Sequence, residues 1–162
     1  MNILFKVILT GVGATLAMDV WGYILSLFQI KSLNYAFVGR WVGHMFNGQF
    51  YHDKIMNATP IKNELLLGWI SHYAIGITFA FLMFAIYGKA WFDKPTLFPA
   101  LVIGLATIVA PFFIMQPAFG FGAACSNLPN PDTLRLKSFM AHFIYGIGLY
   151  LCTILIKYTF KN

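Results

Sequence analysis

The sequence predicts an all-α integral membrane protein: a four-helix transmembrane bundle with a short amphipathic or re-entrant helix in its first long loop. Three observations carry that prediction. Only 10% of the 162 residues are charged while 59% are hydrophobic, against about 25% charged in a typical soluble domain. Four apolar stretches reach the roughly 20 residues that a helix needs to cross a bilayer core. Along each stretch, small and polar residues recur at steps of three and four, which keeps them on one helical face. The length suits a single transmembrane domain over residues 1–162.

The first span covers about residues 3–28. Its opening, Lys6 followed by an apolar run and Ala14-Thr15-Leu16-Ala17, imitates a secretory signal. The apolar character continues past Asp19 through Trp21, Tyr23, Ile24, Leu25, Leu27 and Phe28. A cleavable signal has a shorter apolar core, so a retained helix is expected. The long loop 29–64 is no polar tether, because it holds Leu33, Tyr35, Phe37, Val38, Trp41, Val42, Met45, Phe46, Phe50 and Tyr51. Tyr35 to Phe46 reads as the short helix, lying at the interface or dipping among the spans. Loops of this length without a function are uncommon.

The second span is placed at 65–87 and the third at 97–119, joined by a short turn from Gly88 to Thr96 in which Pro95 suits a helix start. A Gly/Pro-rich connection from Gly120 to Lys137 leads to the fourth span at 139–158. Gly120-Phe121-Gly122 is too short for a phosphate cradle and is expected to unwind the third helix after Pro117.

The stripes comprise Gly11, Thr15, Asp19, Gly22 and Ser26 on the first span, and Gly68, His72, Gly76 and Ala80 on the second. Ala100, Gly104, Thr107 and Pro111 form the third, and Ser138, His142, Gly146 and Thr153 the fourth. In lipid no hydrophobic force draws helices together, and close backbone approach through small residues does much of that work. Each stripe is therefore expected to face the bundle. His72-Tyr73-Ala74-Ile75-Gly76-Ile77 also echoes His142-Phe143-Ile144-Tyr145-Gly146-Ile147, the pattern of either a parallel duplication or chance similarity among Gly-rich helices.

The net charge of +6 does not point to nucleic acid, because the cations are scattered and form no basic stripe. Most lie at the ends of apolar runs, where long side chains reach anionic headgroups, so membrane lipids are the expected partners. Lys6, Lys89, Lys94, Lys157 and Lys161 lie in short segments on one face. Their density there favours cytoplasmic N- and C-termini. Cys125 and Cys152 form neither a disulfide framework nor a metal-type spacing, and read as packed or idle thiols.

Asp19 is the one acid well inside a span, and a charge there costs roughly 2.5–3.5 kcal/mol on insertion scales. It should face the bundle with a partner, by depth His72, His142 or Arg40, or be protonated. All four histidines belong to the same half of the chain's topology. The expected pocket has Asp19, His72 and His142 as its floor, and Arg40, His44, His52 and Asp53 as its lid. Gln116, Arg135 and Ser138 join the set. The alternative is a purely structural polar network. Histidine and carboxylate suit first-row metals, so a divalent ion on His72, His142, Asp19 and His44 is the one cofactor considered. Histidine with Asp19 also suits proton movement, and Arg40 or Arg135 suits a phosphate or carboxylate headgroup. There is no HExxH, nucleophile elbow, Walker loop or dinucleotide fingerprint.

Five stretches carry a resemblance: GATLAMDVWG (Gly13–Gly22), VGRWVGHM (Val38–Met45), HYAIG (His72–Gly76), APFFIMQPAFGFG (Ala110–Gly122) and AHFIYGIGLY (Ala141–Tyr150). Through them, in order and over nearly its whole length, the chain resembles a family of small bacterial four-helix inner-membrane proteins known only as a domain of unknown function. The resemblance implies a multi-pass inner-membrane protein and brings no activity with it. The residues themselves favour a polar pocket open to the loop-rich face, binding a small polar or headgroup-like ligand with a metal ion or proton involved. The rivals are a small proton-coupled transporter, as a monomer or a dimer, a membrane-embedded lipid-modifying enzyme, and a scaffold or accessory subunit. Whether the chain is an enzyme, and whether it is a homo-oligomer, is left open by these residues.

Overall fold

The computed structural model describes residues 2–160; Lys161, counted above among the terminal cations, lies outside them. Among the described residues there are five helices and no strand: α1 (Ile3–Leu27), α2 (Tyr35–Met45), α3 (Glu64–Asp93), α4 (Leu97–Ala118) and α5 (Pro131–Thr159). All but α2 are long and apolar enough to cross a membrane. Asn2 caps α1 and Asn34 caps α2, each side-chain carbonyl accepting the N–H two residues on at 3.0 Å and so satisfying a donor that the helix itself leaves orphaned.

Three helices carry detail that the expected spans did not. The fourth long helix begins at Pro131, not 139, because Pro131 has the fixed φ of a first helical position and Asp132 supplies an acid in the first turn. Arg135, Lys137 and Ser138 are therefore helical. In α3 the helical path breaks at Gly88, whose φ of +65° no other residue type adopts freely, and resumes to Asp93. The α4 helix ends at Ala118, unwinding after Pro117 as expected, but its last turns are irregular. Pro111 has no N–H to give, and Pro111–Met115 form a π-helical turn in which the Gln116 N–H bonds the Pro111 carbonyl. Gly120 and Gly122 then turn the chain at φ +80° and +73°.

The chain separates into two compact units. The first holds residues up to Lys31, Tyr73–Thr107 and the chain from Phe139 on. Its core is Val7, Ala14, Ala80, Met83, Trp91, Phe92, Ala100, Ile103, Tyr145 and Leu149. The small-residue stripes set its packing. A methyl group added to Gly104 would lie 2.6 Å from the Gly146 Cα, one on Gly11 2.7 Å from the Ile77 Cα, and one on Gly148 2.8 Å from the Ala14 Cα. Backbones this close exclude any side chain. Thr15, Ala80, Ala100, Thr107 and Thr153 are buried as their stripes require, whereas Ser26 is exposed and turns its hydroxyl to the Tyr23 carbonyl at 2.6 Å.

The second unit holds Ser32–His72 and Ile108–Ser138. Val38, Ile55 and Phe119 form its centre, flanked by Tyr35, Phe37, Trp41 and Met115. Here α2 lies against the first turns of α3 through paired glycines: a Cβ on Gly39 would overlap the Glu64 carbonyl, and one on Gly68 the Tyr35 carbonyl. The loop after α2 is fixed rather than free. The His52 N–H donates to the Ala118 carbonyl at 2.9 Å and the Ile55 N–H to the Phe119 carbonyl at 3.0 Å. Gly120 is required there because the Asp53 carbonyl occupies the place of its Cβ.

Candidate functional site

The polar residues singled out in the sequence fall into several constellations. In the first unit, the Tyr73 hydroxyl donates to Asp19 Oδ2 at 2.7 Å. His142 meets Thr107: the Thr107 hydroxyl proton goes to the Gly104 carbonyl at 2.6 Å, so at 2.8 Å the His142 Nδ1–H is the donor and Thr107 Oγ1 the acceptor. In the second unit, His72 Nε2 lies 3.0 Å from the Tyr35 hydroxyl, with the Trp69 and Tyr35 rings packed on its imidazole. The two histidines of the sequence echo thus meet different hydroxyl groups. Only the echoed glycines, Gly76 and Gly146, share a role in close packing.

Arg40 was expected at the lid, ready for a headgroup. Instead its guanidinium is taken up by the protein. Nε and Nη2 make a two-pronged pair with the Glu64 carboxylate, both at 2.9 Å, and Nη1 donates to the carbonyls of Ile55 and Ala58 at 3.0 Å each. The planar fork of arginine suits this pattern, and α2 holds it there because Arg40 follows the contact glycine Gly39. The Glu64 hydrogen bonds raise the Arg40 pKa further above its ordinary value, against an opposing effect of burial. Arg40 is a clamp that fastens residues 55–58 and the start of α3 to α2. Glu64 was missed in the sequence because it marks the edge of an apolar span. Arg135 is likewise engaged, with the Ala124 carbonyl at 2.9 Å and Asp132 at 2.8 Å. It steadies Ala124 and Cys125, consecutive residues at the positive φ values of 48° and 61°. Ser138 is half-buried on α5.

His44 and His52 form the centre of the second unit's polar region. His44 Nδ1 and His52 Nε2 are 2.7 Å apart, with the rings stacked at 5.0 Å. His44 is 9% exposed and His52 7%. Burial pushes the His52 pKa below its ordinary value, and the nearby positive charges of His44 and Arg40 push the same way, while the Ala118 carbonyl offsets part of the shift. A neutral imidazole carries one N–H. If His52 Nε2 accepts from His44, Nδ1 is a donor; if Nε2 donates, Nδ1 is an acceptor. In this structure His52 Nδ1 is buried without a hydrogen-bond partner, as is Oε1 of Gln116, itself 5% exposed.

His52 also lines an open cleft of about 470 Å³ with Gln49, Asp53, Lys54, Asn57 and Ala58. Its volume falls in the range of small-molecule sites, about 300–1,000 Å³. Of the expected lid, His52 and Asp53 line it; Arg40 belongs to the clamp behind. Gln49, Lys54 and Asn57 lay in a loop with no helical register to single them out. Among the described residues no group of three His, Cys, Asp or Glu is placed to hold a metal ion, so a cation on Asp19, His44, His72 and His142 finds no support. Cys125 and Cys152 are both free.

These features define a class: a helical protein with four helices of membrane-spanning length and a polar cleft backed by a buried imidazole pair. The chain belongs to the family described as "Protein of unknown function (DUF2938)", whose model matches residues 8–156. No curated protein and no solved structure matches it.

Proposed function

We propose that this chain is a multi-pass protein of the bacterial inner membrane, a four-helix bundle with both termini in the cytoplasm, which binds a small polar or headgroup-like ligand. The site is the cleft formed by Gln49, His52, Asp53, Lys54 and Asn57. The observation that carries this reading is the His52 imidazole, which lines that cleft and has a buried, unpartnered Nδ1. A buried polar atom without a partner costs about 1–3 kcal/mol, a deficit that a bound polar group removes. Lys54 supplies a cation for phosphate or carboxylate, and Asp53 an anion for an amine. His52 Nδ1 offers a donor when Nε2 accepts from His44, and an acceptor when Nε2 donates to His44.

Titration calorimetry of the purified chain with O-phosphoethanolamine tests the reading. Saturable binding is expected, weakened about tenfold in both His52→Ala and Lys54→Gln, the loss of one good polar contact. Affinity unchanged in both variants, or no saturable binding, ends it. A second reading, a proton-coupled transporter, has one specific support in Asp19. An ionisable group within a membrane-length helix and held by Tyr73 is what a proton path uses. It requires that Asp19→Asn abolish proton-coupled flux in proteoliposomes while the melting temperature holds.

A further inference from the structure

The segment after α2 alternates in character. Gln49 is polar, Phe50 and Tyr51 are aromatic, and His52, Asp53 and Lys54 are polar again. Its backbone is pinned at three points: the Trp41 indole donates to the Phe50 carbonyl at 2.8 Å, and the N–H groups of His52 and Ile55 bond the carbonyls of Ala118 and Phe119. Gln49 and residues 52–54 line the polar cleft. Phe50 and Tyr51 line a second depression of about 270 Å³, completed by Trp41, Met45, Ile114 and Ala118. The two hollows thus share one short stretch of backbone. The apolar one has every lining side chain hydrophobic. Of its lining Tyr51 is 72% exposed, and Phe46, next to the lining Met45 in the chain, is 82% exposed, and neither belongs to a membrane-length helix. Exposed apolar surface concentrated in this way marks a place that something apolar covers.

We infer that the ligand is a zwitterionic phospholipid, its headgroup in the Gln49–Asn57 cleft and one acyl chain in the groove lined by Trp41, Met45, Phe50, Tyr51, Ile114 and Ala118. The inference deepens the proposed function and rests on the headgroup cleft of that reading. Charge complementarity selects the head: Lys54 opposite a phosphate and Asp53 opposite an ammonium match a dipolar group, whereas a bare anion would meet the Asp53 carboxylate. The apolar groove selects the chain, and a single molecule with both parts fills both hollows at once. Trp41 serves the groove twice, as a wall and as the donor that fixes the Phe50 carbonyl.

The test uses the full chain in detergent and native mass spectrometry with three probes: dihexanoyl-phosphatidylethanolamine, O-phosphoethanolamine and dihexanoylglycerol. The phospholipid should bind about tenfold or more tighter than the bare headgroup, and dihexanoylglycerol should bind weakly. Tyr51→Asp, with melting temperature as the folding control and Tyr51→Phe as the conservative variant, should reduce phospholipid affinity to that of O-phosphoethanolamine. Lys54→Gln should weaken both phosphate probes alike. Equal affinity for phospholipid and bare headgroup overturns the amphiphile and leaves the headgroup cleft standing. Dihexanoylglycerol binding as tightly as the phospholipid overturns it from the other side. Failure of all three probes removes the headgroup cleft as well.

Discussion

The two units solve the problem of placing polar groups in an apolar chain in opposite ways. In the first unit the polar side chains are mostly hydroxyls satisfied by backbone carbonyls or by one another, as with Tyr145 to Gly76, Thr15 to Gly11 and Thr10 with Thr153. Glycine-to-backbone contacts do the packing. The second unit instead holds a part-buried ion pair and a buried imidazole pair, leaves polar atoms on His52 and Gln116 unpartnered where the first unit leaves Trp21 Nε1, and holds two consecutive residues at positive φ. A region under such local cost, held together by a few strong interactions, is where functional sites are commonly found. On the proposed reading the first unit is the support and the second holds the site.

The contrast can be broken most forcefully at the Arg40 clamp. Glu64→Gln leaves the guanidinium buried without its counter-charge, and breaking one partner of such a pair costs about 3–5 kcal/mol. The expected result is a large loss of melting temperature in detergent together with protease cleavage in residues 46–63. Arg40→Met with Glu64→Leu should recover only part of the loss, since the apolar pair carries no unpaired charge but leaves the Ile55 and Ala58 carbonyls without their donor. A Glu64→Gln protein as stable as the parent would mean that the clamp does not hold the second unit.

In the first unit the corresponding weak point is a glycine. Gly104→Ala forces a methyl group to 2.6 Å from the Gly146 Cα and 2.7 Å from the His142 carbonyl. Backbone cannot yield as a flexible side chain would, and overpacking of this kind costs about 1–3 kcal/mol. Unfolding by denaturing detergent should show this loss with the 46–63 loop still protected from protease, which separates the two units by behaviour.

The sequence made these regions legible to different degrees. Steps of three and four placed Gly11, Gly76, Gly104 and Gly146 on contact faces, because helical geometry alone decides which residues share a face. The same argument failed for Ser26, close to the end of α1, where a stripe continues on paper after its packing partner has stopped. It also could not see that Pro111 opens a π-helical turn, since periodicity carries no information about a register that changes. The site was harder to read. His44 and His52 were recognisable as rare polar residues, yet their pairing depends on how residues 46–55 fold back onto Ala118 and Phe119. Glu64, Tyr35 and Tyr73 were not singled out as partners, and Thr107 was placed on a contact face without its histidine, because each gains its role only from a neighbour distant in sequence.

Acid provides a gentler probe of the second unit. Burial lowers the His52 pKa in the folded chain, so the unfolded chain takes up its proton first, near the ordinary histidine value of about 6.5. The stabilising contribution is therefore complete above that pH and is lost as pH falls toward the lower folded value. Melting temperature should drop on acidification below about pH 6.5, and His52→Phe should remove that part of the slope. If the slope persists unchanged in His52→Phe, some other group carries it and the buried imidazole pair is not the acid-sensitive point.

The smallest effect belongs to the first unit and sharpens the comparison most finely. Tyr145 is 2% exposed and donates to the Gly76 carbonyl at 2.6 Å, crossing from α5 to α3. That carbonyl sits in a helix and remains an acceptor for its own turn, so Tyr145→Phe removes a donor without leaving an orphaned group of comparable cost. Side-chain hydrogen bonds between membrane helices are worth only about 0.6 kcal/mol on average. Tyr145→Phe should accordingly lower stability by about that amount, with the ring contact to Phe79 still in place. A loss as large as that of Gly104→Ala would show that the first unit, too, depends on a few strong polar bonds, and the division between support and site would then rest on the clefts alone.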